Sequence, residues 1–412
     1  KKTILICNNE SLEKEDFKKY KHIIVLNGDG ELTERLTFLT RYIDLNCLLV
    51  REKFLKKVNE LEKQRVFGKN IIETLSFNSI HSAWWLSLIH EKSNFSKTPI
   101  FNKAIKLTAL EIILEKIDHE KIALKTNDYE YLKSISEFCN KKNKTLIRNK
   151  YFLKKTFFFF LKKNIKLFSK IIFDPFLSIL VLFKYVFKNR YFLFNDLSRW
   201  RNSKSKLIFF SYLTPNSPNK VGNKKKDTFW GNLPEKLIDW GISSNWLHIE
   251  TTNSGFSGGG ISFKHLKEIN EENSKYNENH FNLMSFCDLK ILGISFYFYI
   301  KLIIKNFLFL LFIKKRHKNI YFIWHIFFQV WIDSYFSKDF IIVLLQHFLF
   351  SKALSSIPEQ KIGFYLQENI NWQSSLIMNW GKNKHKNLIG VNHSTLRFWD
   401  LRNFYLFDNK KN

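Results

Sequence analysis

GFYLQENINWQSSLIMNWGKNKHKNLIGVNHSTLRFWDLRNF, residues Gly363 to Phe404, decides the fold class. Lys361–Leu366 is a short apolar run of strand type. Asn371 to Lys384 carries helical spacing, and Leu388–Val391 is a second apolar run. Strand, helix and strand in this order predict a βαβ unit of a parallel sheet. Ligands of open α/β sheets bind beyond the carboxyl ends of the strands. Here those ends are residues 366–369 and 391–397, which present Glu368, Asn369, His393, Ser394, Thr395 and Arg397 to one crevice.

Working outward, residues 1–150 alternate in the same way. Ile4–Cys7, Ile23–Asn27, Ile122–Thr126 and Thr145–Arg148 read as strands. Asn102–Lys116 reads as a helix, and Asp128 as the N-cap of a helix ending near Asn143. Further on, Ser205–Leu213 and Asn245–Glu250 read as strands, with a helix from Leu233 to Trp240 between them. The expected fold is α/β, with Rossmann-like parallel sheets flanked by helices. It divides into a unit over 1–150, a basic aromatic segment over 151–199, and a unit over 200–412 that carries a helical insertion at 289–335. The Ser254–Gly260 run, SGFSGGG, reads as a flexible loop with no convincing helix behind it, because it lacks the Gly-Lys-Ser/Thr ending of a phosphate loop.

Two stretches depart from ordinary globular patterning. Residues 151–194 are aromatic, aliphatic and basic, broken at Asp174–Pro175, with Lys162, Lys166 and Lys170 on one helical face. Ile291–Ile313 is long enough to span a bilayer but carries Lys301 and Lys305 one turn apart. Interfacial amphipathic helices, buried core helices and true spans all remain open, with the interfacial reading favoured by the lysines. The chain has 412 residues, is 45% hydrophobic and bears a net charge of +29, which favours anionic partners. Part of that charge belongs to a general richness in Lys, Asn, Ile and Phe, and no nucleic-acid signature accompanies it. Cys7, Cys47, Cys139 and Cys287 lie far apart, so neither a disulfide scaffold nor a zinc site is expected.

The pattern Glu-Asn-x-x-Trp from Glu368, followed by Ile-Gly-Val-x-His-Ser-Thr-x-Arg-Phe-Trp-Asp-Leu-Arg from Ile389, resembles a family of bacterial surface-carbohydrate biosynthesis proteins. His81–Ser93 and Asp227–Glu250 are similar to it as well. The resemblance implies a glycosyltransferase of the two-Rossmann-domain (GT-B) type, acting in O-antigen or capsule assembly. It implies a nucleotide-sugar donor as substrate, no separate cofactor, and a lipid-linked glycan acceptor. The expected place is the cytoplasmic side of the cell membrane, peripheral on an anionic surface, with no nucleic-acid partner. A GT-B enzyme needs a further Rossmann domain for the nucleotide donor, and this C-terminal donor domain is expected to be missing from the chain.

Glu368 and His393 are the candidate catalytic pair. Asn369, Trp372, Ser394, Thr395, Arg397 and Asp400 are the candidate substrate contacts. A carboxylate or imidazole suits proton removal from an acceptor hydroxyl. Each has a plainer alternative: Glu368 as a helix N-terminal carboxylate, Trp372 as packing, Arg397 and Arg402 as partners of Asp400 or Asp408. His81, Trp84, Trp85, Trp230 and His248 read as core residues first and as borders of a cleft second. No Asp-x-Asp pair is present, so no metal is expected. A non-catalytic membrane-associated scaffold of the same pathway is the competing function.

Overall fold

The computed structural model describes residues 2–66, 68–78, 81–92, 99–148, 150–193, 195–213, 219–221, 224–226, 229–250, 259–273, 278–313, 320–368, 370–392 and 395–404. The chain is α/β, with two five-stranded parallel sheets flanked by helices in a Rossmann-like arrangement. The first sheet is built from β1 (Thr3–Cys7), β2 (His22–Val25), β3 (Leu36–Phe38), β4 (Lys121–Lys125) and β5 (Thr145–Arg148). Its spatial order is β3-β2-β1-β4-β5. The second is built from β6 (Leu207–Tyr212), β7 (Asn245–Ile249), β8 (Asn279–Asn282), β9 (Ile362–Leu366) and β10 (Asn387–Val391). Its order, β8-β7-β6-β9-β10, is the same permutation. The αβ units expected over 200–412 thus form a second five-stranded sheet of the same order as the first. The short, polar β8 (Asn-His-Phe-Asn) hid the third strand from the sequence.

Central strands of a parallel sheet are covered on both faces and so must be apolar throughout. Ile4 to Cys7 of β1, and Ile208 to Phe210 of β6, are accordingly buried. The edge strands β5 and β10 keep more polar, partly exposed sequences.

The helices used below are α1 (Cys47–Glu62), α2 (Pro99–Lys116), α3 (Tyr129–Lys141), α4 (Lys150–Lys188), α5 (Leu233–Asp239) and α6 (Gly259–Asn273). They continue with α7 (Leu289–Ile313), α8 (Trp324–Tyr335), α9 (Phe340–Ser356) and α10 (Asn371–Lys382). Asp128 caps α3 as expected, its carboxylate accepting from the Glu130 amide at 3.0 Å. Three expectations change. α4 runs unbroken through Pro175 for 39 residues, so Asp174–Pro175 does not end the helix. The insertion expected at 289–335 extends to Ser356 and supplies α7, α8 and α9. The glycine run does open a helix, α6, at Gly259, while residues 251–258 lie outside the described residues.

One continuous core joins the two sheets. α8 lies at its centre: Phe327 meets Phe54 of α1 edge-on at 6.2 Å, and Trp331 stacks on Phe309 of α7 at 4.1 Å. The Ser334 hydroxyl accepts from the Leu88 amide at 3.0 Å. Nearby, His81 is buried with Nε2 at 3.0 Å from the Met378 carbonyl of α10, and its ring meets His347 of α9 edge-on at 5.3 Å. Trp84 is fully buried against Trp331. These residues of the His81–Ser93 stretch are core.

Two outcomes follow from this packing. A Cβ at Gly363 of β9 would lie 2.6 Å from the Trp380 ring, which is fixed by its indole bond to the Lys386 carbonyl at 2.9 Å. Gly363→Ala should cost about 1–3 kcal/mol, read as a lower urea midpoint. The second concerns acid. Burial pushes His90, His325 and His347 each down to about 3, so they stay neutral in the folded chain. Unfolded, they take protons below about pH 6.5. The unfolded state then binds more protons, and stability should fall as pH falls from about 6.5 toward 3. The slope is on the order of 1 kcal/mol per pH unit for each histidine. Glu62 and Glu137, whose carboxyls burial holds up, offset part of it. Urea midpoints at neutral and mildly acidic pH measure the balance, and a midpoint unmoved by acid would contradict it.

Candidate functional site

In the second sheet the strand order reverses between β6 and β9, which are adjacent and parallel. This is the switch point at which α/β sheets open a crevice. β6 ends there with Tyr212, and β9 leads through Gln367 to Glu368. The Tyr212 hydroxyl donates to Glu368 Oε2 at 2.6 Å, and the Trp372 indole donates to the same hydroxyl at 3.1 Å. Burial first, and the Glu368 carboxylate second, push the Tyr212 phenol far above its ordinary range, so it keeps its proton.

The chain holds Glu368 in place from its own backbone outward. Its amide donates to Gln373 Oε1 at 2.9 Å, and the Gln373 amide group donates back to the Leu366 carbonyl. The next strand is locked alongside: Leu366 pairs with Val391, and the Gln367 amide donates to the Val391 carbonyl at 2.8 Å. The ends of β9 and β10 thus meet at one edge, as the sequence pattern required. A Cβ at Gly390 would come within 2.8 Å of the Tyr365 hydroxyl and 2.9 Å of Gln367 Oε1, so this crossing needs a residue without a side chain.

The candidate residues divide by position. Glu368 is half-buried at the switch point. Trp372 is 4% exposed, stacked on Phe350 at 6.1 Å and edge-on to Tyr212 at 5.8 Å. Its faces are taken up by Phe350 and Tyr212, and its indole holds the Tyr212 hydroxyl, which agrees with the packing alternative. Thr395 and Arg397 are exposed on the loop after β10. Asp400 receives Arg402 in a two-pronged pair, at 2.8 and 2.7 Å. That pair, with burial opposing it and Glu91 and Glu368 adding negative charge nearby, raises the Arg402 guanidinium further. The alternative reading of Arg402 as a partner of Asp400 is the one observed. Asn369, His393, Ser394 and Asp227 lie outside the described residues. So do Asp408 and the rest of 405–412.

The loop after β10 reaches the first half of the chain. Arg51 of α1 lies over the Phe398 ring at 4.2 Å and the Phe404 ring at 4.1 Å. Such cation–ring stacking fixes the loop against α1. The loop that follows the strand end of the second sheet is therefore packed on α1 of the first half. Among the described residues, no group of three or more His, Cys, Asp or Glu side chains is arranged to hold a metal ion.

Elsewhere in the sheet, the Trp230 indole donates to the Ser211 hydroxyl at 3.1 Å, and His248 Nε2 faces His280 Nδ1 at 3.0 Å on the neighbouring strand. Burial, then the His280 ring, hold His248 well below its ordinary value. Both residues serve the interior of the sheet. Tyr212 was not legible as a site residue: it ends an apolar run, and its carboxylate partner is 156 positions away. The strand run LIFFSY itself, read as the first strand of a second unit, was the signal that placed it at a switch point.

The chain matches no protein-family model, no curated protein and no solved structure. The Tyr212–Glu368 bond can be tested on its own. Tyr212→Phe keeps the ring but leaves the Glu368 carboxylate and the Trp372 indole without their shared partner. It should cost about 1.5–3 kcal/mol by urea unfolding; Tyr212→Phe equal to wild type would mean that neither bond persists in solution.

Proposed function

We propose that this chain is a glycosyltransferase of GT-B type that extends a surface polysaccharide, moving a sugar from a nucleotide-sugar donor to a lipid-linked or glycan acceptor. The observation that carries the reading is a carboxylate, Glu368, held at the switch point of a Rossmann-like sheet by a buried phenol. Two sheets of the same strand order, with the loop after the second sheet's strand end packed on α1 of the first half, support it. The sequence pattern that spans Glu368 to Arg402 supplies the substrate class.

In this reading Glu368 takes the proton of the acceptor hydroxyl while the acceptor oxygen bonds to the sugar carbon. The bond from that carbon to the donor phosphate breaks, and the nucleotide leaves with its electron pair. Tyr212 aims the carboxylate and keeps its own proton throughout. Asn369, His393, Ser394 and Thr395 follow the same strand ends in sequence and are the proposed contacts to donor and acceptor, with His393 a second candidate for proton transfer. Arg397, exposed on the adjoining loop, is placed to meet phosphate.

A specific observation favours the competing scaffold reading. The polar groups of the crevice satisfy one another, Glu368 with Tyr212 and Arg402 with Asp400, as an inactive remnant would. Binding separates the two. Purified protein is titrated with a panel of nucleotide sugars by calorimetry, and turnover is followed as nucleotide release in the presence of extracted glycolipid. Glu368→Gln should leave donor binding intact and lower turnover by about 10²–10⁴. Transfer at the wild-type rate by Glu368→Gln would remove Glu368 from the reaction, and absence of binding to every nucleotide sugar would favour the scaffold.

A further inference from the structure

α4 and α7 each bury one side and leave an apolar stripe on the other. On α4, Ile165, Phe168, Phe176, Leu180, Phe183 and Phe187 are each 61–71% exposed. Their spacing of three or four residues, or multiples of these, puts them on one face. Ser178 and Leu182, on the opposite face, are buried. On α7, Tyr297, Ile300, Ile304 and Leu311 are exposed, while Tyr299, Leu302, Asn306 and Phe309 are buried. The two helices are joined where the Tyr299 hydroxyl donates to Ser178 Oγ at 2.8 Å. The α4 stripe alone exposes on the order of 700 Å² of apolar surface. The largest patch on a typical monomer is about 300–600 Å².

Charge says what covers this surface. Lys162, Lys166 and Lys184 are exposed along one flank of the α4 stripe, beside Lys163 and Lys170, which pair with Glu130 and Asp333. From Lys162 to Lys188 the only acid is Asp174, and α7 has none. We infer that α4 and α7 dock together on an anionic lipid surface, the stripe entering the headgroup boundary and the lysine flank meeting lipid phosphates. A second copy fits less well, because its own lysine flank would face this one. α7 is apolar enough to cross a bilayer, yet one side of it is packed on α9 and Lys305 donates to the Thr74 carbonyl at 2.7 Å. A helix tied to the protein body along one side lies in the interface and does not span.

This inference does not rest on sugar transfer, and its test reads binding alone. The full chain is floated with phosphatidylcholine vesicles and with vesicles in which phosphatidylglycerol replaces part of the phosphatidylcholine. It should float with the anionic vesicles and release as salt rises. Lys162→Gln and Lys166→Gln should each weaken that binding about fivefold. The double substitution Phe176→Ser with Phe183→Ser should abolish it with circular dichroism unchanged, both side chains being exposed. Three results would overturn the inference: no flotation with either vesicle, a self-associated species that the Phe176→Ser, Phe183→Ser change dissolves, or retention through alkaline carbonate, which marks a span.

Discussion

A helix that buries side chains around most of its circumference can rest only at the centre of a protein. α8 is such a helix: nine of its residues, from Trp324 to Tyr335, are buried, and its polar Gln329 and Asp333 are partly exposed. It touches α2 and α3 of the 1–150 unit and the apolar helices α4 and α7. Its side chains reach both ways, with Tyr335 bonded to the Ala83 carbonyl and Asp333 paired with Lys170. The two Rossmann-like sheets share one interior.

The parts of this fold that were legible in the sequence are those where local pattern and tertiary role agree. The β9–α10–β10 unit follows from two apolar runs with a helical spacing between them, and its strands pair in the expected register. β1, β4, β5, β6 and β7 were legible for the same reason. What was not legible depends on long-range neighbours. β8 is polar because His280 faces His248 on the neighbouring strand and Asn282 caps the turn that follows, accepting from the Met284 amide. β3 is three residues long and is specified by its pairing with β2. Pro175 reads as a helix end, but the surrounding helix is held by packing that outweighs one missing backbone bond.

The site shows the same division. Glu368 follows from its place after a strand. Tyr212 follows only from the order of strands in space. Trp372 reads from type as a packing residue first and a substrate contact second, and its burial against Phe350 agrees with the first. Arg402 is a similar case: a guanidinium that suits phosphate is here occupied by Asp400, two residues back in the chain.

The basic aromatic helices show why composition leaves the membrane question open and burial narrows it. Hydropathy counts the apolar residues of α4 and α7 without regard to the side on which they sit. A core helix hides them all, and a spanning helix would expose its whole circumference to lipid. Here Tyr299, Leu302 and Phe309 of α7 are buried, while Tyr297, Ile300, Ile304 and Leu311 face outward. On α4 Ser178 and Leu182 are buried on one side, while on the outer side exposed phenylalanines and leucines share the surface with Lys162, Lys166 and Lys184. An outer side of this kind has no use inside a core, where the lysines would need partners, and none in water, where the phenylalanines gain nothing. At the inferred anionic lipid boundary the phenylalanines would meet acyl chains and the lysines phosphate.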